Sequence, residues 1–435
     1  MSDVVLERFR NTLFWWLDTL KGSPIKKHII DISDTLNNFE TTKIKREQNL
    51  IKLLKHSIQT TPFYKSLNLS EKDFEQFPVI NKIEITENQE LFKSSVFLNK
   101  KNITRSTSGS TGTPFKVLHN TNKIYRNSAD TIYFSELAGF KIGYQLWYLR
   151  YWGGLNFKNS NFKNWAQNLK PIEVINLDNE RIEKLIAQIK NSSGHKGWLG
   201  FPSAFEQVCK FLDDKDEKPI DANFKSIIGM AEGISAYTKQ RMAYYFNCPM
   251  LSRYSNMENG ILAQQTPNSE AFQINWASYH IEILNLHNNE KAPKGELGRI
   301  VVTDLYSYAM PLIRYDTGDL GAMDFTVSPP TLKRIEGRKT DTIYNTKGVI
   351  VSSFIMINSV HFEGIKQIQL IQESKTNYTI KLNCSGDFKF KNQLIEKFKS
   401  FLGDDAVIKI IIVDEIPLLS SGKRKMTLNN YITQN

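Results

Sequence analysis

The chain of 435 residues is 40% hydrophobic and 23% charged, which provides enough apolar material for a large core and excludes disorder as the default state. That length exceeds one ordinary domain and predicts two or three. A formal charge of +11 attracts phosphate-bearing partners, but the lysines are spread along the whole chain, with no zinc finger, aromatic RNA-binding signature or basic heptad helix, so phosphorylated small molecules are expected and no nucleic acid is.

In chain order, the first predicted element is a short helix around Leu13-Phe14-Trp15-Trp16-Leu17 and Leu20. Its aromatic face either packs on the protein's own core or makes a peripheral contact with a membrane surface or a partner. Residues 1–100 read mainly as helices. Leu50 to Ile58 has helical spacing and is stopped near Thr61-Pro62-Phe63-Tyr64. From about 100 to 300, apolar strands such as Ser226 to Gly229 alternate with amphipathic helices such as Ala236 to Phe246, which predicts α/β layering. Gly298 to Asp304 is rich in β-branched residues and reads as a strand.

The texture changes at 337–341. Beyond it come strands at Ile365 to Gln372, Tyr378 to Asn383 and Val407 to Val413, with a helix at Asn392 to Phe401. The expectation is an α/β protein: a large multi-layer N-terminal domain over 1–337 and a small α+β C-terminal domain over 338–435.

Cys209, Cys248 and Cys384 are far apart, odd in number and without metal-ligand spacing, which predicts a reducing, cytoplasmic setting without structural zinc. Charges interrupt every apolar run near the start, and no stretch of about 20 apolar residues offers a membrane span.

The clearest chemical signal is Ser106-Thr107-Ser108-Gly109-Ser110-Thr111-Gly112-Thr113-Pro114, followed by Lys116. Small residues let the backbone approach an anion, and glycines permit turns that aim successive N–H groups inward. No Gly-Lys-Ser/Thr ends the run, so it is not a Walker loop; by itself it also fits a polar surface turn. Four more stretches follow in order: Tyr254-Ser255-Asn256-Met257-Glu258, Arg314 to Asp319, Arg334 to Asp341, and Pro417 to Lys423.

Taken in this order, the five stretches resemble the motifs of the adenylate-forming superfamily, which includes acyl-CoA synthetases, luciferases and peptide-synthetase adenylation domains. The resemblance implies that Thr107, Ser108, Gly109, Ser110, Thr111, Gly112, Thr113 and Lys116 bind ATP phosphates, with Thr111 and Glu258 on Mg²⁺. It places Tyr254, Ser255 and Asn256 near the nucleotide, with Ala231 and Glu232 in a loosely matched adenine-side turn. Asp319 would accept the ribose hydroxyls, and Arg338 or Arg334 would contact ribose or phosphate. Lys423, six residues beyond Pro417, would neutralise charge as a carboxylate attacks the α-phosphate. Thr340 stands at the hinge where many relatives carry Asp or Lys, and Asp316 stands where Arg is usual.

A narrower resemblance is to the phenylacetate–CoA ligase-like group, within it the branch of capsular polysaccharide biosynthesis. It rests on Thr61 to Lys65, Phe77 to Lys82 and Trp198 to Ser203. The chain departs from that group at Ala263-Gln264-Gln265, where relatives carry an acidic–cysteine pair. Candidates for the acid pocket are Trp152, Gly153, Trp198, Gly200, Phe201 and Pro202.

The implied reaction needs no catalytic Ser, Cys or His, since the carboxylate is itself the nucleophile. The implied acceptor is a thiol, including coenzyme A, an amine or a sugar. A catalytically inactive nucleotide-binding partner protein is the competing reading. Neither oligomeric state nor the acid is legible in the sequence.

Overall fold

The computed structural model describes residues 3–106, 115–150, 152, 161–174, 177–338, 343–348, 350–351, 362–384, 386, 388–417 and 424–431. The chain begins with helices α1 (Asp3–Leu20), α2 (Pro24–Asn37), α3 (Lys43–Thr60) and α4 (Pro62–Ser66). Asp18 starts α2, because its carboxylate accepts the backbone N–H groups of Ile25 and Lys26 at 3.1 and 3.0 Å. Pro62 ends α3 as the sequence predicts, and its fixed φ also suits the first turn of α4. Helix α5 (Lys82–Glu87) is capped by the Asn81 side chain, which accepts from Ile83 and Glu84. Strands β1 (Asn102–Ser106) and β2 (Lys116–Asn120) pair antiparallel up to Ser106 opposite Lys116, and α6 (Thr121–Leu137) follows directly.

Next come β3 (Gln145–Arg150), α7 (Asn161–Ala166), β4 (Leu169–Glu173), α8 (Asn179–Asn191), β5 (Lys196–Gly200), α9 (Pro202–Asp214), β6 (Phe224–Met230) and α10 (Ala236–Phe246). Strands β4, β3, β5 and β6 pair in that order, all parallel. This is the α/β alternation read from the sequence, with crossover helices covering the strands. Helix α8 buries Ile182, Leu185, Ile186 and Ile189, a 3.6-residue stripe.

A run of antiparallel strands follows: β7 (Met250–Asn256), β8 (Gly260–Thr266), β9 (Ser269–Ile274), β10 (Tyr279–Leu284), β11 (Gly298–Asp304), β12 (Tyr315–Asp324) and β13 (Thr331–Arg338). Their spatial order is β10-β11-β12-β13-β9-β8-β7. The last part holds β14 (Ile343–Tyr344), β15 (Ile350–Val351), β16 (Ile365–Gln372), β17 (Asn377–Cys384), α11 (Lys391–Leu402), β18 (Val407–Ile412) and β19 (Thr427–Asn429). Here the sheet order is β18-β17-β16-β19, and Leu394, Phe398 and Leu402 of α11 bury against Leu370, Ile380 and Leu382.

Internal contacts group the chain into two compact units. One comprises residues 1–7, 143–252 and 336–435; the other comprises 8–142 and 253–335. The first has a core of Trp147, Leu149, Trp198, Phe205, Val208 and Phe246, besides that of its C-terminal sheet. In the second unit, α2 and α6 supply Ile32, Leu36, Ala129 and Phe134 to a core with Ile261, Ala263 and Ile300. A further core there joins Leu53, Leu54, Tyr64, Phe77, Phe115 and Tyr315.

Candidate active site

In the second unit two of the sequence stretches meet. Strands β7 and β8 form a hairpin in which Asn256 faces Gly260, so Met257, Glu258 and Asn259 are its three-residue tip. Asn256 Oδ1 accepts the Asn259 N–H at 2.8 Å and tightens this tip. Gly260 takes φ 120, a left-handed value that a side chain disfavours, and a Cβ there would lie 3.0 Å from both Asn127 Oδ1 and Tyr279 Oη.

Glu258 is buried although it sits on a hairpin tip. Tyr315, the first residue of β12, donates its hydroxyl to Glu258 Oε1 at 2.9 Å. His119, on β2, lies 2.8 Å through Nε2 from the Glu258 carbonyl oxygen. Burial, and then the Lys123 ammonium, push the His119 pKa down to about 4. The ring is therefore neutral at pH 7, and since its partner is a carbonyl, Nε2 carries the proton and donates. The Tyr315 phenol is pushed well up by burial and by the adjacent Glu258 carboxylate, so it stays a donor.

A second link joins the same stretches. Tyr254 donates to Asp319 Oδ2 at 2.8 Å and lies 3.3 Å from Thr317 Oγ1. Thr317 in turn donates to the Ile300 carbonyl and accepts the Asp319 N–H, while Gly318 supplies the positive φ of 78 that the turn requires. Asp316, the departure from the family pattern, pairs with Arg299 of the neighbouring strand at 2.7 Å. Arg314 is buried against Glu282, with an N–O distance of 3.1 Å.

Behind this site, α6 turns Lys123, Arg126 and Asp130 inward on one face. Lys123 lies 2.6 Å from Asp304 with both side chains fully buried, and Arg126 reaches Asp31 at 2.6 Å. Ser278 bridges Arg126 and Asp130 at 2.7 Å each. These pairs fix α6 immediately after β2, the strand that carries Lys116 and His119. Lys116 is exposed on β2; Thr107, Ser108, Gly109, Ser110, Thr111, Gly112 and Thr113, which precede it, lie outside the described residues.

The first unit carries other predicted residues. Ala231 has a left-handed φ of 67 just beyond β6, which turns Glu232 toward the start of α9. Glu232 accepts the Ser203 N–H at 2.9 Å and the Ser203 hydroxyl at 3.1 Å, occupying the positive end of that helix. It also accepts the Arg424 backbone N–H at 2.8 Å. The Arg424 guanidinium is buried: it donates to the Ile416 carbonyl at 2.7 Å, to Glu206 at 3.1 Å and to Glu415. On the other side, Gln369 and Leu370 of β16 bond to the carbonyls of Lys425 and Met426 at 2.8 and 3.0 Å. Both flanks of Arg424 are thus held. Lys423, its covalent neighbour, lies outside the described residues, as does Thr340. Arg334 lies on β13 and is half-buried; Arg338 ends that strand.

Of the pocket candidates, Trp152 donates through Nε1 to the carbonyls of Tyr148 and Ile172. Trp198 is buried in the core, stacked on Phe224 with ring centroids 5.1 Å apart, and Phe201 belongs to the same cluster. At Gly200 a Cβ would lie 2.7 Å from the Leu149 Cβ, so close strand packing accounts for this glycine. Pro202 opens α9 and lines a cleft with Ser203, Glu206, Glu232, Tyr237 and Arg424. Gly153 lies outside the described residues. Sequence reasoning gave no functional role to His119, Lys123 or Arg424, and took Ser203 only as the end of the stretch from Trp198. The inward spacing of Lys123, Arg126 and Asp130 along one helix was the available signal for the first cluster.

The residues in hand fit a nucleotide with its magnesium. Glu258 and Asp319 are hard oxygen donors fixed by tyrosines, and the buried Asn256 Nδ2 has no hydrogen-bond partner among the described residues. Among the described residues no three His, Cys, Asp or Glu gather around one point. A magnesium ion commonly takes only one or two protein carboxylates and completes its shell with phosphate and water.

This architecture is the fold of the adenylate-forming ligases. A 2-hydroxyisobutyryl-CoA ligase in its postadenylation state, in complex with R3-HIB-AMP, superposes with a TM-score of 0.69 at 14% identity, over 88% of each chain. ATP-bound MatB from Rhodopseudomonas palustris gives 0.53 at 16% identity, over 74% of this chain and 66% of that one. The sequence is also similar to a capsule protein. Residues 343–430 match the CapK C-terminal domain, and the chain is 24% identical to protein CapK of Staphylococcus aureus, covering 90% of this chain and 89% of that protein. No described helix is long and apolar enough to cross a membrane.

Proposed function

We propose that this protein activates a carboxylic acid with ATP to an acyl-adenylate and transfers the acyl group to an acceptor in surface-polysaccharide biosynthesis. The observation that carries this reading is the double link between two sequence-distant stretches, Tyr315 to Glu258 and Tyr254 to Asp319. Two carboxylates are each set by a phenol, that of the buried Tyr315 and that of the half-buried Tyr254, an arrangement suited to receiving a magnesium nucleotide. The similarity to CapK supports the polysaccharide setting.

In the first step a carboxylate oxygen of the acid bonds to the α-phosphorus of ATP. The bond from that phosphorus to the bridging oxygen breaks, and pyrophosphate leaves. Glu258, with Thr111, would hold a magnesium ion, which when bound would supply neutralisation of the phosphate charge. Asp319 accepts the ribose hydroxyls, and Arg334 or Arg338 contacts ribose or phosphate. The run from Thr107 to Thr113, with Lys116, cradles the phosphates. Glu232 has its carboxylate engaged by Ser203 and Arg424, so the turn at Ala231 and Glu232 offers the adenine its backbone. Lys423 is the catalytic cation, delivered by a C-terminal domain of residues 338–435 that pivots at Thr340 on the N-terminal domain of 1–337.

A second reading differs only in the acceptor. The fold shared with 2-hydroxyisobutyryl-CoA ligase favours coenzyme A, with a thioester as product. The test is acid-dependent ATP–pyrophosphate exchange over a panel of aryl, acyl and hydroxy acids, for wild type, Glu258→Gln and Lys423→Ala. Exchange that collapses in both variants supports adenylation, and adding coenzyme A or an amino sugar then identifies the acceptor. ATP binding without exchange for any acid, even in cell extract, would replace this reading with that of an inactive nucleotide-binding partner.

A further inference from the structure

Helix α1 carries an apolar stripe on its outer side. Val5, Phe9, Leu13, Trp16, Leu17 and Leu20 fall within about 120° of arc at 100° per residue. This apolar stripe is the exposed one: Phe9 is 51% exposed, Trp16 56% and Leu20 64%. The side turned to the protein mixes the half-buried Leu6, Phe14 and Trp15 with polar anchors. Glu7, 4% exposed, accepts the His195 N–H at 2.7 Å and lies 2.8 Å from His195 Nδ1. Asn11 donates to the Ile142 carbonyl, and Asp18 caps α2. These bonds fix the rotation of the helix, because turning the stripe inward would break each of them and leave the His195 N–H and the first N–H groups of α2 without these acceptors. The outward stripe is therefore built in.

We infer that the α1 stripe docks on an anionic membrane surface. It carries aromatic rings and has positive residues at both edges, the exposed Arg8 on one side and the half-buried Arg10 on the other at their helical positions. Lys21, Lys26 and Lys27, all exposed, continue the basic rim beyond the helix end. An apolar face between basic edges suits the boundary between acyl chains and acidic headgroups, where the rings enter and the cations remain at the phosphates. A second copy is a poorer occupant: both edges of the stripe are positive, so pairing two stripes sets like charges together, on a chain whose formal charge is already +11. At 18 residues with three carboxylates, α1 lies along the surface and does not cross it. This inference does not depend on the ligase reading.

The experiment is co-sedimentation of the full chain with vesicles of phosphatidylglycerol and phosphatidylcholine in equal parts, compared with phosphatidylcholine alone. The wild type should pellet with the anionic vesicles and lose binding in high salt. The triple variant Phe9→Ser/Trp16→Ser/Leu20→Ser, checked for an unchanged melting curve, should bind at least tenfold more weakly. Arg8→Gln with Lys21→Gln should lose roughly fivefold per charge. Wild-type protein remaining in the supernatant, or both variants pelleting as wild type does, would overturn the inference. So would a lipid-free dimer in sedimentation velocity that the triple variant abolishes, since a second copy would then cover the stripe.

Discussion

The Tyr315 hydroxyl donates to Glu258 Oε1 across 2.9 Å, and both side chains are buried. The pair closes 57 residues of sequence into one contact and sets the orientation of a carboxylate on a hairpin tip. Tyr315→Phe removes only the hydroxyl, so the ring keeps its packing beside Phe115. Losing the bond should cost about 1 kcal/mol of stability. Pyrophosphate exchange should slow roughly tenfold, with the KM for magnesium–ATP raised. Steady-state kinetics over magnesium concentration check this; an unchanged KM with intact exchange would separate Tyr315 from the proposed metal-binding role of Glu258.

Lys123 and Asp304 form a fully buried pair at 2.6 Å. Removing one partner strands the other charge, so Lys123→Met alone should destabilise by about 3–5 kcal/mol. The double change Lys123→Met/Asp304→Leu should recover most of that loss, because neither charge is left buried. Urea unfolding of the two single variants and the double variant reads the coupling directly.

Glu232 ties Ser203 to Arg424, the residue next to Lys423. Glu232→Ala removes the bonds accepted from the Ser203 N–H, the Ser203 hydroxyl and the Arg424 N–H. Adenylation should fall more than tenfold, while transfer from a supplied acyl-adenylate to the acceptor should fall less. Equal losses in both half-reactions would show that Glu232 supports the fold and not the delivery of Lys423.

The depressed pKa of His119, about 4 against an ordinary 6.5, sets a direction for pH dependence. Between those values the unfolded chain binds a proton that the folded chain refuses. Stability is therefore unaffected by this group above pH 6.5 and falls as pH drops toward 4, by about 3 kcal/mol in all. His280, also depressed to about 4 by burial, acts in the same sense. In His119→Gln the decline of melting temperature over this window should be shallower than in wild type.

Much of this was legible in the sequence because it is local. Pro62 after a helical stripe, the Ala236 to Phe246 periodicity and the β-branched run from Gly298 to Asp304 need only neighbouring residues to be read; the last two recur with those bounds, while the helix before Pro62 starts at Lys43, seven residues ahead of the stripe read at Leu50. Trp198 shows the opposite case. An aromatic beside glycines suits a flat slot or a core equally well, and only strand pairing, which stacks it on Phe224, decides its place.

The same division runs through the site. The sequence by itself determined the fold class and the order of the motifs, since side-chain chemistry and short-range periodicity are written residue by residue. Only the tertiary structure decided that Tyr315 holds Glu258, that Tyr254 holds Asp319, that Arg424 is buried against Glu206, and that the apolar side of α1 faces outward. The physical reason is that burial and hydrogen-bond partnership are properties of pairs. The members of these pairs lie on different strands and loops, and no spacing along the chain encodes the distance between them.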